Sequence, residues 1–321
     1  MPLYTSYDQV GKKEDVSDVI TNISPTKTPF QSMIGEERVN ARSFDWQEDS
    51  LRAQASNAQL EGFTAQDVSI TPTTLRTNYT QILSETVKVS GTADAVGTYG
   101  RAKESAYQSA KSMAQVKRDL EHAFVGSAQA GGVGSNVTAR TMKGVQAQVL
   151  NGGSGSLDAD DLVLYTGGTT TLPSEANFLS VLQHLYNLGS DPSVWMITPG
   201  TATTVAGFAQ VSNQRIRSAE STADMKKVVN VVEIYISPFG EQRVVLNRFL
   251  KYTANTTNTN ANTLIFDPDM WKKCVLRPWF RETLAKTGDN LAMMIAGEFS
   301  LKHKNWQASG MIVQAAGATG F

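Results

Sequence analysis

The stretch TADAVGTYGRAKESAYQSAKSMAQVKRDLEHAFVG, residues 92–126, carries the clearest periodicity in the chain. Val96, Tyr99, Ala102, Ala106, Ala110, Met113, Leu120 and Phe124 recur at three- and four-residue steps, with Lys117 the one polar interruption. Arg101, Lys103, Glu104, Lys111, Arg118, Asp119 and Glu121 fall on the other faces, as in an amphipathic helix. Gly126 stands where a stop is expected and no proline intervenes. At 1.5 Å per residue, about thirty such residues make a rod of 45 Å. Its small apolar positions suit close packing on a sheet.

Upstream, residues 38–90 read as strands. Phe44 and Trp46 share one face of a period-2 pattern, Val68 and Ile70 another, and Leu75, Thr77 and Tyr79 a third. Seven threonines between 64 and 90 favour β structure. The intervening 51–63, LRAQASNAQLEGF, is polar and weakly patterned, so the whole reads as a long hairpin with an exposed tip. Hairpins standing clear of a core are marginal alone, and this one is expected to gain partners elsewhere. Residues 1–37 read as an irregular arm. A helical turn or two near 15–23 is followed by Ser24-Pro25-Thr26-Lys27-Thr28-Pro29-Phe30, whose prolines force extension.

Downstream, 126–160 is rich in Gly, Ser and Asn and reads as loops. A mixed α/β pattern then begins: a strand or turn at 162–165, an amphipathic helix at 174–188, a buried strand at 194–197, a short helix at 201–208. A hairpin of 228–237 with 243–250 follows, then a polar loop at 253–263 and strands at 264–266, 271–278 and 291–302.

Composition excludes several classes. The 321 residues suffice for two or so structural units. Net charge is −1 with Lys and Arg scattered among acids, against the basic face of a sequence-specific DNA binder. The single Cys274 rules out an internal disulfide framework. The first residues lack a secretory signal and no apolar run spans a bilayer, so a soluble chain kept in a cytoplasm is expected, with no membrane contact. No G-x-S-x-G elbow, Walker A motif or H-E-x-x-H occurs. His122, His184 and His303 lie in separate elements, His122 on a polar helix side and His303 between lysines, settings read as solvated and not catalytic. Asp158, Asp160 and Asp161 are the one carboxylate cluster able to bind a hard cation, but they lack the Gly and terminal Glu of a calcium loop. Catalytic, metal and cofactor sites are therefore all expected to be absent.

Several segments in order carry a resemblance: Ser24-Pro25 to Phe30, Phe44-x-Trp46-Gln47-Glu48-Asp49-x-Leu51, Asn57-x-x-x-Glu61-Gly62, and Arg76-x-Asn78-x-x-Gln81-Ile82. Then come Val89-Ser90-Gly91-Thr92, Lys117 to Glu121, Tyr235 to Gly240, Asn247-Arg248, Leu276-Arg277-Pro278, Leu284 to Asp289, and Glu298-x-x-Leu301. In register, the chain resembles the major capsid proteins of tailed phages, well over 24–125 and 228–310 and in outline between. The resemblance implies an α+β fold of the Hong Kong capsid type. Its parts would be an N-terminal arm (1–37), an extended hairpin loop (38–90), a peripheral domain with the spine helix and following loop (91–139), an axial domain (140–255), and C-terminal strands returning to the peripheral domain (256–321). It implies pentamers and hexamers closing an icosahedral shell around double-stranded DNA, in the virion, after assembly in the host bacterial cytoplasm. Scaffolding and portal partners are expected, because no large helical N-terminal segment supplies an internal scaffold. No Lys and Asn pair for covalent cross-linking is identified.

Intersubunit contacts are expected from Pro29, Phe30, Trp46, Asp49, Arg52, Glu61, Phe63 and Arg76. The spine's core face is expected to be Val96, Tyr99, Ala106, Ala110, Met113, Leu120 and Phe124. The competing readings are a tail or decoration protein, a metal-dependent hydrolase using the Asp158 cluster, and a basic-groove DNA-binding module, the weakest for want of charge.

Overall fold

The computed structural model describes residues 23–52, 54–65, 67, 70–98, 100–126, 129–149, 163–167, 173–211, 233–250 and 263–315. In chain order the elements are α1 (Pro29–Met33), β1 (Gly35–Arg38), β2 (Ser43–Glu48), β3 (Thr74–Tyr79), β4 (Gln81–Ser90), α2 (Gly91–Ala95), α3 (Glu104–Glu121), α4 (Val145–Val149) and β5 (Val163–Gly167). These are followed by α5 (Glu175–Asn187), β6 (Val194–Ile197), α6 (Pro199–Val211), β7 (Ile234–Ser237), β8 (Gly240–Leu246), β9 (Thr263–Phe266), β10 (Trp271–Thr283), β11 (Asn290–His303) and β12 (Ser309–Ala315). They form a four-stranded sheet of order β1-β10-β11-β4, a six-stranded sheet of order β5-β12-β9-β6-β8-β7, and the two-stranded ladder β2-β3. The chain divides into two compact units, one of 1–26, 84–116 and 280–296, the other of 27–83, 117–279 and 297–321.

In the larger unit, β6 and β9 are buried at all four of their positions. Such fully buried strands belong in the interior of a covered sheet, and both have neighbours on each side. Helix α5 buries Phe178, Val181, Leu182 and Leu185, a stripe at helical spacing. Its N-cap is Ser174, whose Oγ accepts the Asn177 N–H at 3.3 Å. Phe178 meets Trp195 of β6 edge to face, ring centroids 3.9 Å apart. The β7–β8 turn passes through Gly240 at φ +125°, a conformation side-chain-bearing residues rarely adopt.

Several expectations are corrected here. The arm does not remain irregular to residue 37: Pro29 opens α1 from its first turn, where a missing N–H costs nothing, and β1 follows, parallel to β10. The C-terminal stretch 256–321 does not return as one set, because β10 and β11 pair with β1 and β4 while β9 and β12 enter the six-stranded sheet. Helix α6 spans Pro199–Val211, starting before and ending after the short helix expected at 201–208.

The spine is also not one helix over 92–125. After α2 the chain breaks at Val96, passes Gly97 and the positive-φ Gly100, and resumes as α3; a π-helical turn, His122–Gly126, ends it. The Asp94 carboxylate spans the break, accepting the Ser105 N–H at 3.0 Å and so satisfying one of the open donors of α3. At 18 residues, α3 is a rod of roughly 27 Å. Its buried line is Ser105, Ser109, Ser112, Val116 and Leu120. Ala106 and Ala110 are exposed, Val96 lies outside any helix and is exposed, Met113 is half-buried, and Tyr99 lies outside the described residues. Among the described members of the expected face, Leu120 and Phe124 alone are fully buried. Within the smaller unit the serines are used as polar contacts: Ser112 Oγ donates to Glu85 at 3.2 Å and Arg281 donates to Ser109 Oγ at 3.4 Å. Alanine favours helix wherever it sits, so its spacing mimicked a core stripe.

Candidate assembly interface

The ladder β2–β3 runs in antiparallel register from Ser43 opposite Tyr79 to Glu48 opposite Thr74. Between the strands, the described residues of 49–73 form no strand, and Ile70, expected on a strand face, is among them. Threonine content favours β structure only where a partner strand or core receives it, and here neither does. Val68 lies outside the described residues. Leu51, Leu60, Phe63 and Ile70 are exposed, Leu51 at 98% and Ile70 at 90%.

The expected contact residues divide into two groups. Asp49, Arg52, Glu61 and Phe63 lie exposed on the tip. Trp46 and Arg76 are half-buried on the ladder itself. Trp46 Nε1 donates to Glu48 at 3.3 Å, Arg76 pairs with the same carboxylate at 2.8 Å, and Phe44 stacks on Trp46. The arm residues are different. Pro29 is half-buried, and Phe30 is fully buried in its own subunit, edge-on to Phe124 and Trp271 and tilted against Phe266. As a contact to a neighbour Phe30 is therefore corrected: a large ring beside other aromatics lowers free energy most inside the core.

Sequence reasoning missed the buried polar residues that hold these parts. Glu121, placed on the solvated side of the helix, is fully buried and accepts from Phe30 N, Gln31 N and Asn247 Nδ2. Burial pushes its carboxyl above the ordinary range, although those donors act in the opposite direction. Asn78 and Thr80, at the foot of the hairpin, are also fully buried. No local signal marks such residues, since a polar side chain in a strand usually faces water.

His303, read as solvated between lysines, is 1% exposed and stacks flat on Trp271 at 3.9 Å. Trp271 Nε1 donates to Ser309 Oγ at 2.9 Å, leaving that hydroxyl's proton for His303 Nε2 at 3.0 Å. Burial, with Arg76 adding to it, pushes the His303 pKa down to about 3. The Ser–His pair is thus a contact between two buried, neutral side chains. His122 is exposed and His184 half-buried. Burial, then Glu37, pushes the Cys274 thiol up to about 12, so it is not a thiolate nucleophile. Among the described residues no group of acids, histidines and cysteine could hold a metal, and no helix is long and apolar enough to cross a membrane. Asp158, Asp160 and Asp161 lie outside the described residues.

The family model for the SU10 major capsid protein matches residues 3–316. The chain belongs to that family. It is 32% identical over 98% of its length to the major capsid protein of Escherichia phage Phieco32, covering 97% of that protein. Solved structures agree in fold. The capsid of a native GTA particle superposes with a TM-score of 0.65 at 11% identity, covering 97% of this chain and 98% of that one. The capsid of cyanophage P-SCSP1u gives 0.60 at 10% identity, covering 95% and 93%. This SU10-type major capsid protein therefore has the Hong Kong-type α+β capsid fold and forms a phage capsid shell; its relatives are capsid proteins, not metal-dependent hydrolases.

Proposed function

We propose that the subunits close the shell as pentamers and hexamers, with the hairpin tip reaching from each subunit to the next. The observation that carries this is the tip itself. It presents Leu51, Leu60, Phe63 and Ile70 to solvent on a segment that makes no strand of its own. Apolar side chains left exposed along one segment are stabilised by burial in a partner. The charges of Arg52 and Glu61 then set register, and Asp49 lies at the root of the tip. Phe30 anchors the arm at home, and residues 1–22 of the expected arm lie outside the described residues.

In this reading 38–90 is the extended loop and 91–139 the peripheral spine. The six-stranded sheet with α5 and α6 is the axial domain, with β9 and β12 added to the expected 140–255. Chemically identical subunits in unlike positions need such extensions, and heterologous contacts of this kind close by symmetry. The shell encloses double-stranded DNA without reading its sequence, assembles in the host cytoplasm with separate scaffolding and portal proteins, and performs no catalysis.

Replacing 49–73 by a tight Asn-Gly turn that joins Glu48 to Thr74 tests the proposal. Loop length changes subunit stability only logarithmically, so circular dichroism and melting should be retained. Shell formation should be lost in electron micrographs. Normal shells from the shortened chain would overturn the proposed reach.

A further inference from the structure

Residues 78–80 are the corner at which the hairpin strand β3 turns into β4 of the four-stranded sheet, and this corner is packed with polar groups. Glu298 of β11 is 4% exposed. Its Oε1 receives the Thr80 hydroxyl at 2.6 Å and an Arg140 guanidinium N–H; its Oε2 receives Arg277 Nε at 3.0 Å. Arg140 Nε donates to the Thr80 carbonyl, so one guanidinium grips both the corner and the carboxylate. The Thr80 hydroxyl has a single proton, and the 2.6 Å contact to a carboxylate outcompetes the 3.2 Å contact to the Arg42 carbonyl. On the same face of β11, Ser300 Oγ donates to the Tyr79 carbonyl at 2.7 Å. Asn78 Nδ2 donates to the Leu301 carbonyl at 2.5 Å, and Asn78 Oδ1 accepts the Lys143 N–H at 2.7 Å.

We propose that Glu298 is a positioning residue for shell assembly, setting the direction in which the β2–β3 hairpin leaves the subunit. A fold needs no ion triad at this corner; an apolar pair would pack it as well. A carboxylate with three directional donors instead specifies an angle, because each bond weakens steeply off axis. The ladder amplifies that angle, since a small rotation at Thr80 displaces the far end of the tip by much more. Glu298 thus acts through the hairpin and touches no neighbour itself. The proposal rests on the reading that the tip reaches an adjacent subunit.

The direct test is the hairpin's angular spread in free subunits. Nitroxides on Gln47→Cys and Gln183→Cys, both exposed positions of the larger unit, report the distance from the ladder to helix α5. In Glu298→Gln the distance distribution should broaden while circular dichroism is retained, and uniform shells should give way to none or to mixed sizes. A folded Glu298→Gln chain with an unchanged distribution, even if it melts lower, overturns the proposal. If that variant does not fold, Thr80→Val takes its place, removing one hydroxyl and keeping the shape: a broadened distribution supports the proposal and an unchanged one overturns it. The shortened tip serves as the separating control. Normal shells from it would remove the proposed reach, while the distance distribution would still decide whether Glu298 sets the angle.

Discussion

The carboxylate of Glu121 accepts the backbone N–H of Phe30 at 2.8 Å, joining positions 91 residues apart. The same side chain accepts from Gln31 N at 3.1 Å, Gln31 Nε2 at 3.2 Å and Asn247 Nδ2 at 2.8 Å. Those donors fasten the start of α1 to the end of α3 and to Asn247, the residue that follows β8. The arm's point of departure is therefore held inside the subunit.

The buried carboxylate gives a pH dependence of definite sign. Its folded pKa is raised, so between the unfolded Glu value of about 4.3 and the raised one the native state binds more protons than the unfolded state. Stability contributed by this group must fall as pH rises through that window. Urea melts across the window should show a decline that is flattened in Glu121→Gln; equal slopes would contradict the assignment.

His303 acts in the opposite direction. It is neutral in the fold with a pKa pushed down to about 3, against 6.5 in the free side chain. The unfolded chain takes up the proton first, so stability should be lost as pH falls from 6.5 towards 3. Replacing His303 by Gln should remove this component from the acid-melting curve.

Phe30 and Phe63 separate core from assembly. Phe30→Ala should cost about 3–5 kcal/mol in subunit stability, since it leaves a cavity among Phe124, Phe266 and Trp271. Phe63→Ala, on an exposed ring, should leave the subunit's melting unchanged and reduce shell yield. Equal effects on melting would refute the division.

The spine gives a further comparison. Ser112→Leu should overpack the buried line and cost about 1–3 kcal/mol, whereas Ala106→Leu on the exposed side should be near neutral in free subunits. Thermal melts of the two variants distinguish the buried serine line from the alanine line.

Local pattern alone determined α5, β6 and the ladder β2–β3. Ser174 caps a helix whose apolar residues recur at helical spacing, Val194–Ile197 is an uninterrupted apolar strand, and Phe44 and Trp46 alternate with polar neighbours. These signals lie within a few residues of one another, so the chain carries them whatever surrounds it. The tertiary structure decided which side of α3 is buried, because alanine and serine fit either side and only the facing groups, Glu85 and Arg281, choose. It decided that β1, a charged tetrapeptide, pairs with β10, and that β12 inserts between β5 and β9. It also decided that Glu121, Glu298 and His303 are buried. A polar side chain enters a core only where its partners arrive from distant segments, and no window of sequence contains them together.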